Sequence, residues 1–350
     1  MRFTFERLDL HTRNPFAIAR TASIPVRQSI FVRVEEDGLE GWGEAPVTTP
    51  YYGETAETAL SVLPGLGEVV REASKSDPFA LERIEAAVTR SIGGNAAAKA
   101  GLSAALHDLV GKRLGIPIWR MWGLAPSAPR SSFTIAIDTV EEMRKRVREA
   151  AEYPILKIKV GTPHDEEILA MIRDEAPTKA IRVDANTGWT AKQAIAALPM
   201  LDDFSVELIE QPVDPDDLDG LSAVSKVSPI PVVADEACKT SADIPKLAGA
   251  ADVINIKLAK CGSLREAVRM VHYARAAGLE VMLGCMIETT LGIAAAVQLA
   301  PLVDYVDLDG AALLASDPFL GPGIDTDGSI RFNDRAGLGV TSRVSTIGTS

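Results

Sequence analysis

The chain has few cysteines and no long apolar run. Cys238, Cys261 and Cys285 are far apart and form no CxxC pair. A scattered, odd-numbered set excludes a disulfide framework and a cysteine zinc site, and is typical of reduced thiols in the cytoplasm. No stretch of about 18 residues is apolar, and the first residues have no signal-like apolar segment. We therefore expect no membrane span, no signal peptide and a cytoplasmic location.

Positive charge is also in deficit. The 350 residues include 36 Lys and Arg against 48 Asp and Glu, which gives a formal net charge of −12. An acidic surface does not attract nucleic acid or anionic membranes, so we expect neither as a partner. The length allows one large barrel plus a smaller domain, or two ordinary domains.

The first third of the chain changes from β-rich to helical. The patterns predict strands at 29–34 and 39–45 around a turn at 36–38, and helices at 54–73, 78–91 and 95–114. A linker at 125–129 contains two prolines and marks a domain boundary. We assign residues 1–125, joined by 316–350, to an α+β domain and residues 126–315 to a second domain.

A strand-and-helix repeat follows the linker. Short apolar strands are predicted at about 132–138, 155–160, 181–184, 206–210, 231–235, 253–257, 281–285 and 305–309. Eight strand-helix steps of about 25 residues favour a (β/α) barrel of the TIM type, in the α/β class. An open doubly wound sheet usually has a Gly-rich phosphate loop after its first strand, and the sequence has none there.

Two lysines share one face of the second predicted strand. In Leu156-Lys157-Ile158-Lys159-Val160 the ammonium groups stand at alternate positions and point the same way. Two like charges so close in an apolar segment are costly unless an anion faces them. Solvated lysines on an edge strand are the alternative.

Carboxylates end the next three strands, at Asp184, Glu210 and Asp235. Strand ends of a barrel gather at one mouth, where converging carboxylates repel unless a cation holds them. An all-oxygen site points to Mg²⁺ or Mn²⁺ rather than to zinc. The alternative for each residue singly is a surface carboxylate just past a strand.

Lys159 on the second strand and Lys257 on the sixth lie opposite each other across an eight-strand ring. A substrate carboxylate bound between them would present its α-carbon to a base on each face, which suits epimerisation. A lysine base needs a lowered pKa, and we expect Lys157 and the cation to lower it.

The strand-end motifs together resemble the enolase superfamily, in its muconate-lactonizing subgroup. They are Leu156–Val160, Val183-Asp184-Ala185-Asn186, Ile209-Glu210-Gln211-Pro212, Ala234-Asp235-Glu236 and Asn255-Ile256-Lys257-Leu258-Ala259-Lys260-Cys261-Gly262. The resemblance spans the chain and implies an N-terminal domain that caps the barrel. It also implies that Asp184, Glu210 and Asp235 bind the metal. Lys159 and Lys257 are then the acid/base pair, and Lys157 binds the substrate carboxylate.

The eighth strand ends with Val306-Asp307-Leu308-Asp309-Gly310, so Asp307 and Asp309 project together into the mouth. They are a carboxylate pair for a substrate ammonium group, or else a solvated acidic strand end. The pair resembles the Asp-x-Asp of dipeptide epimerases in the subgroup. Three further residues are predicted to line the substrate site, namely Thr134, Cys285 and Ile287.

The N-terminal loops should decide which dipeptide is accepted. Segments 18–20 and 52–54 resemble L-Ala-D/L-Glu epimerases, and Arg20 could hold a glutamate carboxylate, with Arg27 as its competitor. We expect an isomerase that epimerises L-Ala-D/L-Glu in murein recycling and assembles as a homo-oligomer. The alternatives in the subgroup are an N-acylamino acid racemase, an o-succinylbenzoate synthase and a cycloisomerase. More distant ones are an aldolase with Lys257 as Schiff-base lysine and a non-catalytic binding protein.

Overall fold

The chain starts with a small antiparallel sheet. The computed structural model describes residues 1–19, 21–24, 26–75 and 77–344. The sheet has the order β1-β2-β3, with β1 (Arg2–His11), β2 (Val26–Glu36) and β3 (Leu39–Pro46). Asp37 and Gly38 form the tight turn between β2 and β3 with φ of 52° and 77°. The sequence predicted β2, β3 and this turn, whereas β1 lies in a part described only as β-rich.

Five helices follow the sheet. They are α1 (Thr49–Tyr52), α2 (Ala56–Ser74), α3 (Leu81–Ser91), α4 (Ala96–Leu114) and α5 (Ile118–Met121). The three predicted helices correspond to α2, α3 and α4, with ends that agree within about three residues. Glycine lets α4 lie directly on β3, because a Cβ at Gly43 would be 2.0 Å from the carbonyl oxygen of Gly101.

Eight parallel strands form the second sheet, in sequence order. They are β4 (Phe133–Ile135), β5 (Ile155–Lys159), β6 (Ala180–Asp184), β7 (Val206–Glu210), β8 (Val232–Ala234), β9 (Val253–Ile256), β10 (Glu280–Gly284) and β11 (Tyr305–Asp307). Ser131 and Ser132, just before β4, meet β11, where the Ser132 N–H donates to the Val306 carbonyl at 3.1 Å. The first and last strands therefore close a barrel, which confirms the predicted fold class.

Helices alternate with the barrel strands. They are α6 (Val140–Glu149), α7 (Asp165–Glu175), α8 (Ala191–Asp203), α9 (Leu218–Val227), α10 (Ile244–Leu247), α11 (Leu258–Cys261), α12 (Leu264–Ala276) and α13 (Thr290–Val297), with 3-10 turns at Ala300–Leu302 and Gly310–Leu313. Hydroxyl side chains cap the N-termini of several of these helices. The Thr139 hydroxyl accepts from the N–H of Glu142 at 3.3 Å at the start of α6, and the Ser263 hydroxyl accepts from the N–H of Glu266 at 3.0 Å at the start of α12. This alternation places the carboxyl ends of all eight strands at one mouth.

The C-terminal segment returns to the first sheet. It forms two short hairpin pairs, β12 (Phe319–Leu320) with β15 (Thr341–Ser342) and β13 (Gly323–Ile324) with β14 (Ile330–Arg331). The buried Phe319 ring lies 5.8 Å from that of Phe31 and 6.2 Å from that of Trp42. The domain limits at residues 125 and 315 stay predictions. Within the described residues, no helix is both long and apolar enough to cross a membrane.

Candidate active site

Strand register brings the predicted site residues together. Lys159 at the end of β5 pairs with Asp184 at the end of β6, and Asp184 pairs with Glu210 at the end of β7. Asp235 follows β8 directly. Because neighbouring parallel strands end at the same level, these side chains converge on the barrel axis.

Lys157 occupies the centre of this cluster. Its buried ammonium group lies 2.7 Å from Glu210 Oε2, 2.8 Å from Asp307 Oδ2 and 3.1 Å from Asp184 Oδ2. Burial disfavours the charged form, but Asp307, Glu210 and Asp184 together hold the pKa of Lys157 well above its ordinary value. Lys157 is thus a fixed positive charge among three carboxylates.

Lys159 and Lys257 face the site from opposite sides. They are carried by β5 and the end of β9, four strands apart in the eight-strand ring. Lys159 Nζ donates to Asp184 Oδ2 at 2.7 Å, and Lys257 Nζ to Asp235 Oδ2 at 2.6 Å. Contact with Asp235 raises the pKa of Lys257 although burial opposes the charged form. The lowered pKa expected for a lysine base beside Lys157 and a bound cation stays a prediction.

The pKa values of Asp184 and Glu210 shift in opposite directions although both side chains are buried. Burial opposes ionisation of Asp184, yet Lys159 and Lys157 lower its pKa to about 2. Burial and the negative charge of Asp184 raise the pKa of Glu210 to about 7, which outweighs the attraction of Lys157. Asn255 Nδ2 also donates to Glu210 Oε1 at 3.0 Å.

Asp235 is held by two ammonium groups. Lys257 contacts Oδ2 and Lys260 contacts Oδ1, each at 2.6 Å, and they keep the pKa of Asp235 far below its usual range although burial opposes this. Within the described residues, no three His, Cys, Asp or Glu side chains are grouped as a metal site requires. The three predicted ligands bind ammonium groups here. The donor set itself, buried and made of oxygen alone, fits a hard divalent cation.

Asp307 and Asp309 lie at the closing edge of the barrel. Asp307 accepts from Ser132 Oγ at 2.6 Å and from Lys157, which holds its pKa below the usual range against the effect of burial. Asp309 accepts from the N–H of Thr134 at 2.6 Å. Burial and the charge of Asp307 raise the pKa of Asp309 to about 6.

A cavity of about 110 Å³ opens onto this cluster. The walls include all three residues predicted to line the substrate site, namely Thr134, Cys285 and Ile287. Burial, and then Asp309 and Glu288, raise the pKa of the Cys285 thiol well above its usual value, which disfavours the reactive thiolate. Arg27 lines the same cavity, whereas Arg20 lies outside the described residues.

Two family models match nearly the whole chain. One describes the mandelate racemase / muconate lactonizing enzyme N-terminal domain and matches residues 3–123. The other describes an enolase C-terminal domain-like fold and matches residues 138–345. The chain belongs to the enolase superfamily.

Superfamily members similar to this chain are named as epimerases. An L-Ala-D/L-Glu epimerase of Bacteroides thetaiotaomicron is 41% identical over 343 residues, which cover 97% of this chain and 88% of that protein. The L-Ala-D/L-Glu epimerase of Bacillus subtilis, in a substrate-liganded complex, is 31% identical with a TM-score of 0.91 over 98% of each chain. The dipeptide epimerase of Enterococcus faecalis V583, complexed with Mg and L-Leu-L-Tyr, is 32% identical with a TM-score of 0.91, over 97% of this chain and 99% of that one.

Lys260 is a site residue with no role predicted from the sequence, and its ammonium group contacts Asp235 Oδ1 at 2.6 Å. Its ammonium group also donates to the backbone carbonyls of Asp235, at 2.5 Å, and of Asn255, at 2.8 Å. The short helix α11 places Lys260 one turn after Lys257, so the spacing of the two lysines is the signal that could have found it.

Proposed function

We propose that this chain is a Mg²⁺-dependent dipeptide epimerase. The observation that carries the proposal is the position of Lys159 and Lys257 on opposite sides of a cavity that Asp307 and Asp309 also line. Two acid/base groups on opposite faces suit inversion at a carbon, and two carboxylates suit a free amino group. The names of the similar epimerases agree with this reading.

Asp184, Glu210 and Asp235 would hold the divalent cation. Buried carboxylates need positive charge nearby, and oxygen ligands favour Mg²⁺, with Mn²⁺ as the alternative. When bound, the cation would stabilise the negative charge that the substrate carboxylate gains as the α-proton leaves.

The lysines carry the proton transfer. Lys159, in its neutral form, accepts the α-proton of the C-terminal residue from one face, and the electron pair of the C–H bond moves toward the carboxylate. The Lys257 ammonium group then donates a proton to the opposite face, and the electron pair returns to the α-carbon. The reverse epimerisation exchanges the two roles. Asp307 and Asp309 bind the amino group and so orient the dipeptide.

The preferred substrate is L-Ala-D/L-Glu, as a product of murein turnover. Arg27 lines the cavity and offers a planar fork that matches a glutamate side-chain carboxylate. An N-acylamino acid racemase, an o-succinylbenzoate synthase or a cycloisomerase acts on molecules without a free α-ammonium group, so Asp307 and Asp309 would have no such group to bind. The homo-oligomeric state and the cytoplasmic location are further predictions.

Proton NMR in D₂O tests the proposal. The enzyme with Mg²⁺ is offered L-Ala-L-Glu, L-Ala-L-Leu and N-succinylamino acids. We expect the α-proton signal of the C-terminal residue to disappear and the epimer to form with the dipeptides, and EDTA to stop the reaction. Turnover of the N-acyl compounds alone would contradict the role of Asp307 and Asp309.

Arg27→Gln tests the side-chain preference. It should lower kcat/KM for L-Ala-L-Glu by about tenfold or more, because a charged hydrogen bond is lost, and leave L-Ala-L-Leu nearly unchanged. Arg7→Gln is the matched control, since Arg7 is exposed and pairs with Asp9 and Glu57 away from the cavity. Equal losses for both dipeptides would assign Arg27 a structural role.

A further inference from the structure

A second cavity lies beside the active-site cavity. It has a volume of about 350 Å³ and lies between the loop at residues 12–16, the first barrel strand and helix α6. The two cavities share Phe16, Thr134 and Leu313, which form a common wall. The active-site lysines line only the first cavity. The volume is in the range of small-molecule sites, which start at about 300 Å³.

Arg146 on α6 is a buried cation in the wall of the second cavity. Its side chain is only 9% exposed, and Nη2 donates to Asp138 Oδ2 at 2.6 Å. Nε and Nη1 are buried and have no hydrogen-bond partner within the described residues. Buried N–H groups of a charged side chain are costly to leave unpaired, so Nε and Nη1 of this guanidinium call for a further acceptor.

The other walls combine a second guanidinium with an aromatic surface. Arg13 is fixed by its Nε–H, which donates to the carbonyl of Leu314 at 2.8 Å. The ring of Tyr153 stacks on that of Phe133 with centroids 4.4 Å apart. Burial, and then Asp309, raise the pKa of Tyr153, so its phenol is neutral and can donate a hydrogen bond.

The charges favour a carboxylate ligand. The guanidinium fork of arginine matches the two oxygens of a carboxylate, and two such groups line one cavity. Asp138 already accepts a hydrogen bond from Arg146, but only from Nη2, so Nε and Nη1 stay available to a ligand. Glu149 is the carboxylate in the lining, and both it and Arg13 are exposed and screened by solvent, so the buried Arg146 decides the charge that the cavity accepts.

We propose that the second cavity binds a small organic carboxylate, which accepts hydrogen bonds from Arg146 and lies against the Tyr153–Phe133 pair. This inference concerns a site separate from the catalytic lysines and does not depend on the reaction assigned to them.

Tyrosine-selective NMR with succinate as the probe tests this site. The chain has five tyrosines, and the ring signals of Tyr153 are identified by their loss in Tyr153→Phe. Succinate should shift the Tyr153 signals saturably in the wild type. Succinate bound at the active-site lysines is distinguished because its effect does not depend on Arg146.

Arg146→Gln should weaken this binding by about tenfold or more, since a charge-assisted hydrogen bond is lost. Arg144→Gln is the matched control on the same helix, because Arg144 pairs with Asp174 and Glu175 and does not line the cavity. It should bind like the wild type. Arg13→Gln, in an exposed position, gives a second test if Arg146→Gln does not fold. The proposal would be overturned if succinate left the Tyr153 signal of the wild type unshifted. It would also be overturned if a folded Arg146→Gln or Arg13→Gln variant bound succinate as tightly as the wild type.

Discussion

Lys159 and Lys257 should each exchange the α-proton of a different epimer of the dipeptide, so alanine variants should distinguish their roles. In Lys257→Ala, Lys159 still reaches one face of the α-carbon, so one epimer of the dipeptide should exchange its α-proton in D₂O while no epimer is formed. Lys159→Ala should exchange only the opposite epimer. Epimerisation should fall by at least about 10³-fold in both variants. NMR with each pure epimer measures the exchange, and loss of both exchanges in either variant would contradict the two-face arrangement.

Single residues were predictable where strand parity decides their direction. Lys157 and Lys159 stand two apart on β5, so the sequence shows that they share a face. Asp307 is the last residue of β11, and Asp309 lies beyond it with φ of −84° and ψ of 0°, so strand parity does not decide the direction of Asp309, although both aspartates line the cavity. Direction alone does not give distance, and the close contact of Lys157 with the carboxylates of three other strands follows from barrel register. The 2.6 Å contact of Lys257 with Asp235, which raises the pKa of Lys257, likewise depends on register and is not visible in the sequence.

Helix α13 joins the barrel to the N-terminal sheet through buried acids. Glu44 of β3 accepts from the N–H groups of Thr289 and Gly292, each at 3.1 Å, and thereby caps the helix. Glu288 accepts from the N–H of Met286 at 2.9 Å. Burial, and then the charge of Glu44, raise the pKa of Glu288 to about 8. Glu288 is therefore protonated at neutral pH in the folded protein.

Glu288→Gln should remove a pH dependence of stability. Between pH 4.5 and about 8 the folded protein keeps a proton on Glu288 that the unfolded chain releases, so the free energy of unfolding falls as pH rises. The slope is at most roughly 1.4 kcal/mol per pH unit. Urea unfolding from about pH 5 to pH 8 should show the variant gaining stability over the wild type. Glu166→Gln, at an exposed position of α7, should keep the wild-type slope. Parallel slopes for Glu288→Gln and the wild type would rule the effect out.

The ends of helices and strands were easiest to predict where a short sequence motif marks them. Gly115 ends α4 in a left-handed conformation with φ of 70°, as the Gly-Ile-Pro sequence indicates. The capping contact of Glu44 with α13 joins residues 245 positions apart in sequence. Local patterns contain no information on such a contact, so it could not be predicted from them.

At the scale of the whole molecule, the eightfold strand-helix repeat predicts the barrel, and a barrel implies that the first and last strands meet. The return of the C-terminal segment to the first sheet is different, because β12 has only two residues and its partner β15 is equally short. One buried apolar cluster includes Phe31 of the N-terminal sheet, Phe319 of this segment and Ile254 of the barrel. The two parts of the fold thus share a core, and we expect them to unfold together.

Phe319→Ala tests this shared core. The ring is fully buried between Phe31 and Trp42, and its removal should cost about 3–5 kcal/mol of the free energy of unfolding. The neighbouring Leu320 is 48% exposed, so Leu320→Ala should change stability by no more than about 0.5 kcal/mol. Urea unfolding followed by tryptophan fluorescence and by far-UV circular dichroism gives both values. The two signals should change together in each protein, because loss of the N-terminal sheet exposes part of the barrel core. Separate transitions, or equal losses at positions 319 and 320, would show that the C-terminal segment does not join the two parts.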